Sequence, residues 1–289
     1  MHVNESVFNR GSTLNVAIVL GVLAVFMVDL LMPLGIVAWL GYLAAFGLSL
    51  YSSDPAKPIQ VAVAATVAVV AAQVFSPPAV EGIPAWLTLV NRVLGIAMFW
   101  TVAPIARQLI VSRKTLLQQN WVRAGQRDLS ARVQGELPRE TLADNILQFL
   151  CEYLRAPVGA LYAADGAGGL HQIATYAGTS AETSGRKFVR VGESMLGQAV
   201  KSKRLLQFDE VPDSHLPFSS ALGQSLPRQL VAMPTEVDGV VMGALELGFL
   251  DPATPTDYTL LESVAEPIAI ALRSCSHRER LATLLEETQ

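Results

Sequence analysis

The chain has 289 residues, 51% of them hydrophobic and only 16% charged, with a net charge of −4. A soluble domain averages about 25% charged residues, and nothing here forms the basic patch that nucleic acid requires, so a nucleic-acid-binding protein is excluded. The shortage of charge is local. Residues 1–112 hold four basic and four acidic residues, so the whole net charge falls in 113–289. The chain therefore divides into a neutral apolar part and a mildly acidic part of ordinary composition.

The first twelve residues are polar, and no small-residue cleavage site follows the first apolar run, so 1–12 reads as a short cytoplasmic tail. An apolar run then extends over 14–51. As one helix it would be about 57 Å long, against a bilayer core of about 30 Å. Met32-Pro33-Leu34-Gly35 splits it, which predicts helices over about 13–31 and 35–52. Polar Pro-containing loops at 52–58 and 76–84 bound a third helix over about 59–74 and open a fourth over about 86–110. The prediction for 13–110 is an all-α four-helix transmembrane bundle. Arg10, Lys57, Arg107, Arg113 and Lys114 all fall on one side, which the positive-inside rule places in the cytoplasm with both termini.

Two charges lie inside predicted spans, Asp29 and Arg92. A lone charge at mid-bilayer costs about 2.5–3.5 kcal/mol on insertion scales. The sequence therefore predicts that they pair, with Asn91 nearby. The pair reads as a clamp between the first and fourth helices; an ion path or ligand site is the alternative, but the bundle has few other polar residues to line a path.

The stretch 111–135 is polar and has no clear stop until Gly135-Glu136-Leu137-Pro138. It predicts a connecting signalling helix that continues the fourth span, with Pro104 as a kink near the cytoplasmic face. Apolar positions 109/116 and 110/117/124/131 keep a seven-residue step, as in a parallel two-stranded coiled coil. A solvated single helix is the other reading. Trp121 is expected to pack against the following domain or a partner chain.

Beyond it the pattern alternates. Residues 139–154 predict an amphipathic helix with Leu142, Ile146, Phe149, Leu150, Tyr153 and Leu154 on one face. Strands are predicted at 158–163, 170–176, 187–191, 205–208, 229–237 and 240–250, with a short helix at 192–200 and an irregular insert at 209–227. Asp238-Gly239 is a hairpin turn signal, and Thr254-Pro255-Thr256-Asp257 caps a last helix. Cys151 and Cys275 read as reduced structural thiols, and no Cys/His spacing marks a metal site.

In the pieces VGALYAADG, VGESMLGQAVKSKRLLQFDEVP, LVAMPTEVDGVVMGALELG and TLLESVAEPIAIALRS, taken in order, 139–274 resembles a GAF domain. The preceding linker and the membrane helices are similar to those of membrane-bound bacterial histidine kinases, often hybrid ones. The resemblance implies an α/β (α+β) fold with a mixed or antiparallel sheet of five or six strands, flanking coiled-coil helices and a pocket under 192–226. In the family that pocket holds a cyclic nucleotide, a bilin, a haem, another small molecule or nothing. The cofactor stays unknown here: no cysteine lies in the lid to attach a bilin or to reduce methionine sulfoxide. Phe208, His215, Phe218, Met233 and Met242 are the candidate pocket residues, the aromatic and methionine side chains also fitting a core. His171 is a further histidine that reads better as a surface residue than as a ligand.

Residues 275–289 continue the last helix, polar and uncapped, as a C-terminal coiled coil. His277-Arg278-Glu279 does not match a phosphoacceptor site, and no Gly-rich ATP lid is present, so no kinase activity is expected of this chain. The leading expectation is the sensor portion of a two-component signalling protein, in a longer kinase or standing alone. It would be a homodimer in a bacterial inner membrane, its partners a kinase core or response regulator and a small-molecule ligand. A small transporter or channel with a regulatory domain, and a ligand-free dimerisation scaffold, are the competing expectations.

Overall fold

A computed structural model of the chain describes residues 2–33, 38–78, 84–177, 188–209, 218–220 and 223–287. The chain forms two compact units, 1–118 and 119–289.

In the first unit, α1 (His2–Leu31) is followed by a 3-10 turn (Ala38–Gly41), α2 (Tyr42–Ser49), α3 (Lys57–Phe75) and the first part of α4 (Ala85–Val133). The expected N-terminal tail is part of α1, so the helix begins well before the apolar run. Among the described residues three helical stretches are long and apolar enough to cross a membrane: Ser12–Leu31, Lys57–Phe75 and Trp86–Val133. Of the second predicted helix, 35–37 lie outside the described residues, and its described part ends at Ser49 rather than near 52. That part covers Ala38–Ser49, about 20 Å at the rises of its two helix types.

Close contacts explain its path. A Cβ on Gly41 would meet the Val25 methyls at 2.9 and 3.0 Å, and one on Gly95 would meet the Trp39 ring at 2.8 Å. These two glycines let the 3-10 turn that leads into α2 lie directly against α1 and α4. Tyr42 and Phe46 then pack on Phe99, with ring centroids 5.7 and 5.8 Å apart. At the other end Leu48 and Tyr51 line one groove with Thr13, Leu14 and Ala17. The contacts fix an alternating course: α2 runs back against α1, α3 runs forward again, and α4 returns beside α2. The core is Ile18, Tyr42, Ala45, Phe46, Val61, Ala62, Ala65, Val69, Phe99 and Ala103. Pro104 stands inside α4 and takes a backbone donor from the carbonyl one turn earlier.

The second unit is built on a six-stranded antiparallel sheet of order β3-β2-β1-β8-β7-β4. Its strands are β1 (Val158–Ala164), β2 (Gly169–Tyr176), β3 (Phe188–Arg190), β4 (Leu206–Phe208), β7 (Gln229–Val237) and β8 (Val240–Phe249). The predicted irregular insert contains a small hairpin of β5 (Phe218–Ser220) and β6 (Gly223–Ser225), too short to signal itself by alternation. Asp238 and Gly239 both have positive φ, 53° and 76°, which turns the β7–β8 hairpin tightly.

Helices α5 (Arg139–Leu154) and α7 (Pro255–Glu287) cover one face. Their apolar stripes meet Leu161, Val231, Met233, Leu245, Leu247 and Phe249 in the main core. Thr254 and Asp257 cap α7 reciprocally: the Asp257 carboxylate accepts from the Thr254 N–H at 2.7 Å, and the Asp257 N–H reaches Thr254 Oγ1 at 3.3 Å. Helix α6 (Ser194–Ser202) covers the opposite face.

The end of α4 belongs to this unit too. Val122, Gly125, Leu129 and Val133 recur at helical spacing, and Leu129 is fully buried in the α5–α7 layer. Gly125 has no room for a side chain: a Cβ would lie 2.9 Å from both Leu260 Cδ1 and Tyr153 Cε1. The Tyr153 hydroxyl donates to the Trp121 carbonyl at 2.8 Å, and the two rings lie 4.7 Å apart. The Arg132 guanidinium lies over the Phe149 ring at 4.9 Å. The stretch read as a connecting helix therefore docks, from Trp121 to Val133, on the domain that follows. Helix α7 stays on its own domain as far as Glu279. Arg278 donates to the Leu137 carbonyl at 3.2 Å, and Arg139 pairs with Glu279.

Candidate functional site

The sheet face under α6 holds a cavity of about 160 Å³. Its floor comes from the two central strands. Glu246 of β8 is paired in register with Ala160 of β1 and Ala232 of β7. Side chains directly opposite on neighbouring strands stand about 4.5–5.5 Å apart, so two methyl groups flank the carboxylate and leave space beside it. Glu246 is only 3% exposed. Tyr162 forms one wall and Leu196 of α6 another; Phe188, Arg190, Glu193 and Ser194 form the mouth. Arg190 and Glu193 face each other there at 3.9 Å.

Local backbone sets the mouth. Gly192 has φ +89°, turning the chain from β3 into α6. A Cβ on Gly197 would lie 2.5 Å from the Arg190 carbonyl oxygen, so the first turn of α6 sits hard against the end of β3.

The residues predicted for the pocket are not brought together here. Phe208 packs on the α6 side of the sheet, beside Val158 and Leu230, but does not line the cavity. Met233 and Met242 point to the opposite face, into the α5–α7 core. Phe218 lies on β5, and His215 lies outside the described residues. His171 stands at the surface beside Asp165, its Nε2 3.5 Å from Asp165 Oδ2. The backbone N–H groups of Gly169 and Ala167, ahead of His171, hold the Asp165 carboxyl below the usual carboxylate range. Glu246 went unremarked in the sequence, yet it carries a signal: it is the only charge in the apolar strand VVMGALELGF.

Among the described residues no group of three or more His, Cys, Asp or Glu side chains is placed to hold a metal ion. Both cysteines are buried and free. Burial pushes the Cys151 thiol up to about 12, with the Glu152 charge adding to it. Only thiolate reacts with disulfide reagents. Cys275 is 2% exposed and so out of the reagent's reach, and the native protein at pH 8 is expected to leave both thiols unmodified by dithionitrobenzoate, with the denatured chain reacting at two. Fast reaction of either thiol in native protein would contradict the packing described here.

In the first unit Asp29 and Arg92 form a two-pronged pair: Nη1 lies 3.2 Å from Oδ2, and Nη2 3.4 Å from Oδ1. Nη1 also donates to the Val69 carbonyl at 2.8 Å, and the Ser76 hydroxyl donates to the Asp29 carbonyl at 2.9 Å. The neighbouring Asn91 accepts from Trp39 Nε1 at 3.0 Å. The pair thus ties α1, α3 and α4 together, and the 3-10 turn ahead of α2 is bonded beside it.

Residues 136–273 match the family model described as GAF domain. The search of curated proteins finds no match to the chain. Among solved structures, the GAF domain of a phosphoenolpyruvate-protein phosphotransferase from Coxiella burnetii is 16% identical, with 55% of this chain and 96% of that one covered and a TM-score of 0.47. The corresponding domain from Acinetobacter is 11% identical, covering 57% and 98%, with a TM-score of 0.45. A free methionine-R-sulfoxide reductase from Neisseria meningitidis in complex with its substrate is 18% identical, covering 54% and 91%, with a TM-score of 0.45. The family match and the antiparallel sheet with its two helical faces agree: residues 136–273 of this chain are a GAF domain, a sensory and regulatory module.

Proposed function

We propose that the chain is a membrane-anchored sensory module, the input part of a histidine-kinase type of two-component signalling protein in a bacterial plasma membrane. In this reading it crosses the membrane four times, has both ends in the cytoplasm and works as a homodimer. It is not itself an enzyme; a kinase core or a response regulator receives its output. The observation that carries the reading is α4. One helix, Ala85–Val133, is apolar at its start and ends inside the helical layer of the GAF domain. A stimulus that moves such a helix reaches the domain without crossing a loop. The alternating course of the four helical segments supports an even number of crossings. The mutual satisfaction of Asp29 and Arg92 favours a clamp over a transport path.

The dimer reading has its own support. Leu109, Leu116 and Leu117 are more than half exposed. The line through 117, 124 and 131 lies roughly 140° around the helix from the face that docks on α5 and α7, at about 100° per residue. One side of α4 is thus occupied by its own domain and the nearly opposite side is open for a second copy. Single cysteines at 109, 111, 116 and 117 test this in nanodiscs, because the native thiols are buried. Positions 109, 116 and 117 are expected to cross-link strongly and 111 weakly, with a dimer in native mass spectrometry. A monomer, or equal cross-linking at all four positions, would remove the basis for relay by paired helices.

A further inference from the structure

We infer that the helical unit binds one glycerophospholipid with a zwitterionic, ammonium-bearing headgroup, its phosphate at Lys57 and one fatty-acyl chain in the groove between α1 and α3. The inference rests on the membrane-spanning reading proposed above, in which Lys57 stands at the cytoplasmic boundary. The groove is the first reason. It has a volume of about 550 Å³ and is walled by Asn15 to Phe26 of α1 and by Lys57 to Ala71 of α3. At about 1.5 Å per residue these walls run about 17 and 21 Å, against about 15 Å for one leaflet of the hydrocarbon core. Ala64, Ala68 and Ala71 recur on the α3 wall, and their short side chains leave the room. A cavity of about 150 Å³ admits the six carbons of benzene, so one of about 550 Å³ takes roughly twenty carbons, the scale of one fatty-acyl chain.

The polarity of the lining is the second reason. Among the described residues that line the groove, the polar ones are Asn15, Lys57 and Gln60, all at one end. A second, wider groove of about 1100 Å³ opens from that end and shares Asn15 and Lys57 with the first. It adds Ser52, Ser53 and Asp54 of the loop between α2 and α3. A phospholipid has the same division, a chain for the narrow groove and a headgroup for the wide one. Charge is the third reason. Among the described residues neither Lys57 nor Asp54 has an ion-pair partner, although both line the wider groove. A long cationic side chain at the end of a span keeps its stem on apolar surface and its ammonium at the interface, at the level of lipid phosphates. Lys57 also opens α3, whose first turn has no side-chain cap and whose dipole favours an anion. Asp54 is held in its loop by the Ala56 N–H, which donates to Oδ1 at 2.9 Å. Two opposite charges that line one groove without pairing match a phosphate followed by an ammonium.

The test is native mass spectrometry of the full chain in detergent, titrated with palmitoyl-oleoyl phosphatidylethanolamine. Palmitoyl-oleoyl glycerol lacks the headgroup, and glycerophosphoethanolamine lacks the chains. Palmitoyl-oleoyl phosphatidylglycerol keeps the phosphate but has no ammonium. One phosphatidylethanolamine per chain is expected, held at least tenfold tighter than the first two and at least threefold tighter than the third. Lys57→Gln should weaken it at least fivefold. Ala64→Phe, at an exposed position of the groove wall, should weaken it as well and stands as the second variant should the first unfold. Asp54→Asn should remove the preference over phosphatidylglycerol. No bound lipid, binding indifferent to Lys57→Gln and Ala64→Phe, or equal binding of the diacylglycerol or of phosphatidylglycerol would overturn the inference. So would a second copy of the chain in the groove, seen as a lipid-free dimer that Ala64→Phe splits. A carbonate wash of membrane vesicles tests the membrane-spanning reading by itself: a released chain overturns that reading and this inference with it. A retained chain that fails the lipid titration overturns the inference alone.

Discussion

Asp29→Asn is expected to lower the stability of the helical unit by about 3–5 kcal/mol, the usual cost of breaking a buried ion pair by removing one partner. Asparagine keeps the shape of aspartate but removes its charge. Arg92, whose side chain is 12% exposed, would then face only neutral acceptors, the new amide oxygen and the Val69 carbonyl. The loss is in the uncompensated guanidinium rather than in the attraction itself. The double variant Asp29→Leu/Arg92→Met removes both charges and is expected to be nearly as stable as the parent. Thermal unfolding in detergent, followed by helical circular dichroism, checks both. A single variant as stable as the parent would show that the pair does not hold the bundle. A double variant as weak as the single one would show that the Ser76 and Val69 contacts, not the charges, decide the packing.

Gly243→Ala should cost about 3 kcal/mol, at the upper end of ordinary overpacking. Strand β8 lies between β1 and β7 at the centre of the sheet. A Cβ at this position would stand 2.3 Å from the Tyr162 carbonyl oxygen and 2.9 Å from Leu272 Cδ1. The leucine end can swing aside, but the carbonyl is backbone in a paired strand and cannot move without parting β1 from β8. Hydrogen exchange should therefore rise across 158–164 and 240–249, while α1–α3 keep their protection. Unchanged exchange in both strands would mean that the sheet accommodates the methyl group and that Gly243 is not a packing requirement.

Much of the architecture was legible because it follows from periodicity. The stripe on 139–154 and the alternating runs on either side of Asp238-Gly239 define a helix and a hairpin locally, and the structure has them at α5 and β7–β8. Two charges isolated in apolar runs have few partners, so the sequence pointed Asp29 toward Arg92, and the coordinates place them 3.2 Å apart.

Other features depend on neighbours distant in sequence. The packing of the helical stretch Ala38–Ser49 depends on how closely Gly41 approaches Val25, of which the apolar run says nothing. Met233 and Met242 were read as pocket candidates for a related reason. On a strand, one step in sequence changes the face. Met233 reads as a pocket residue or a core residue equally well until it is known which face α5 and α7 cover.

The amino-acid sequence by itself determined the partition of this protein into an apolar helical part and an alternating α/β part, because composition and period act over neighbouring residues. Only the tertiary structure decided that α4 docks on the GAF domain through Gly125 and Leu129, and that Glu246 lies between two alanines beneath α6. Both arrangements depend on which side chains are missing opposite a given residue, and that is a property of the packed chain in three dimensions.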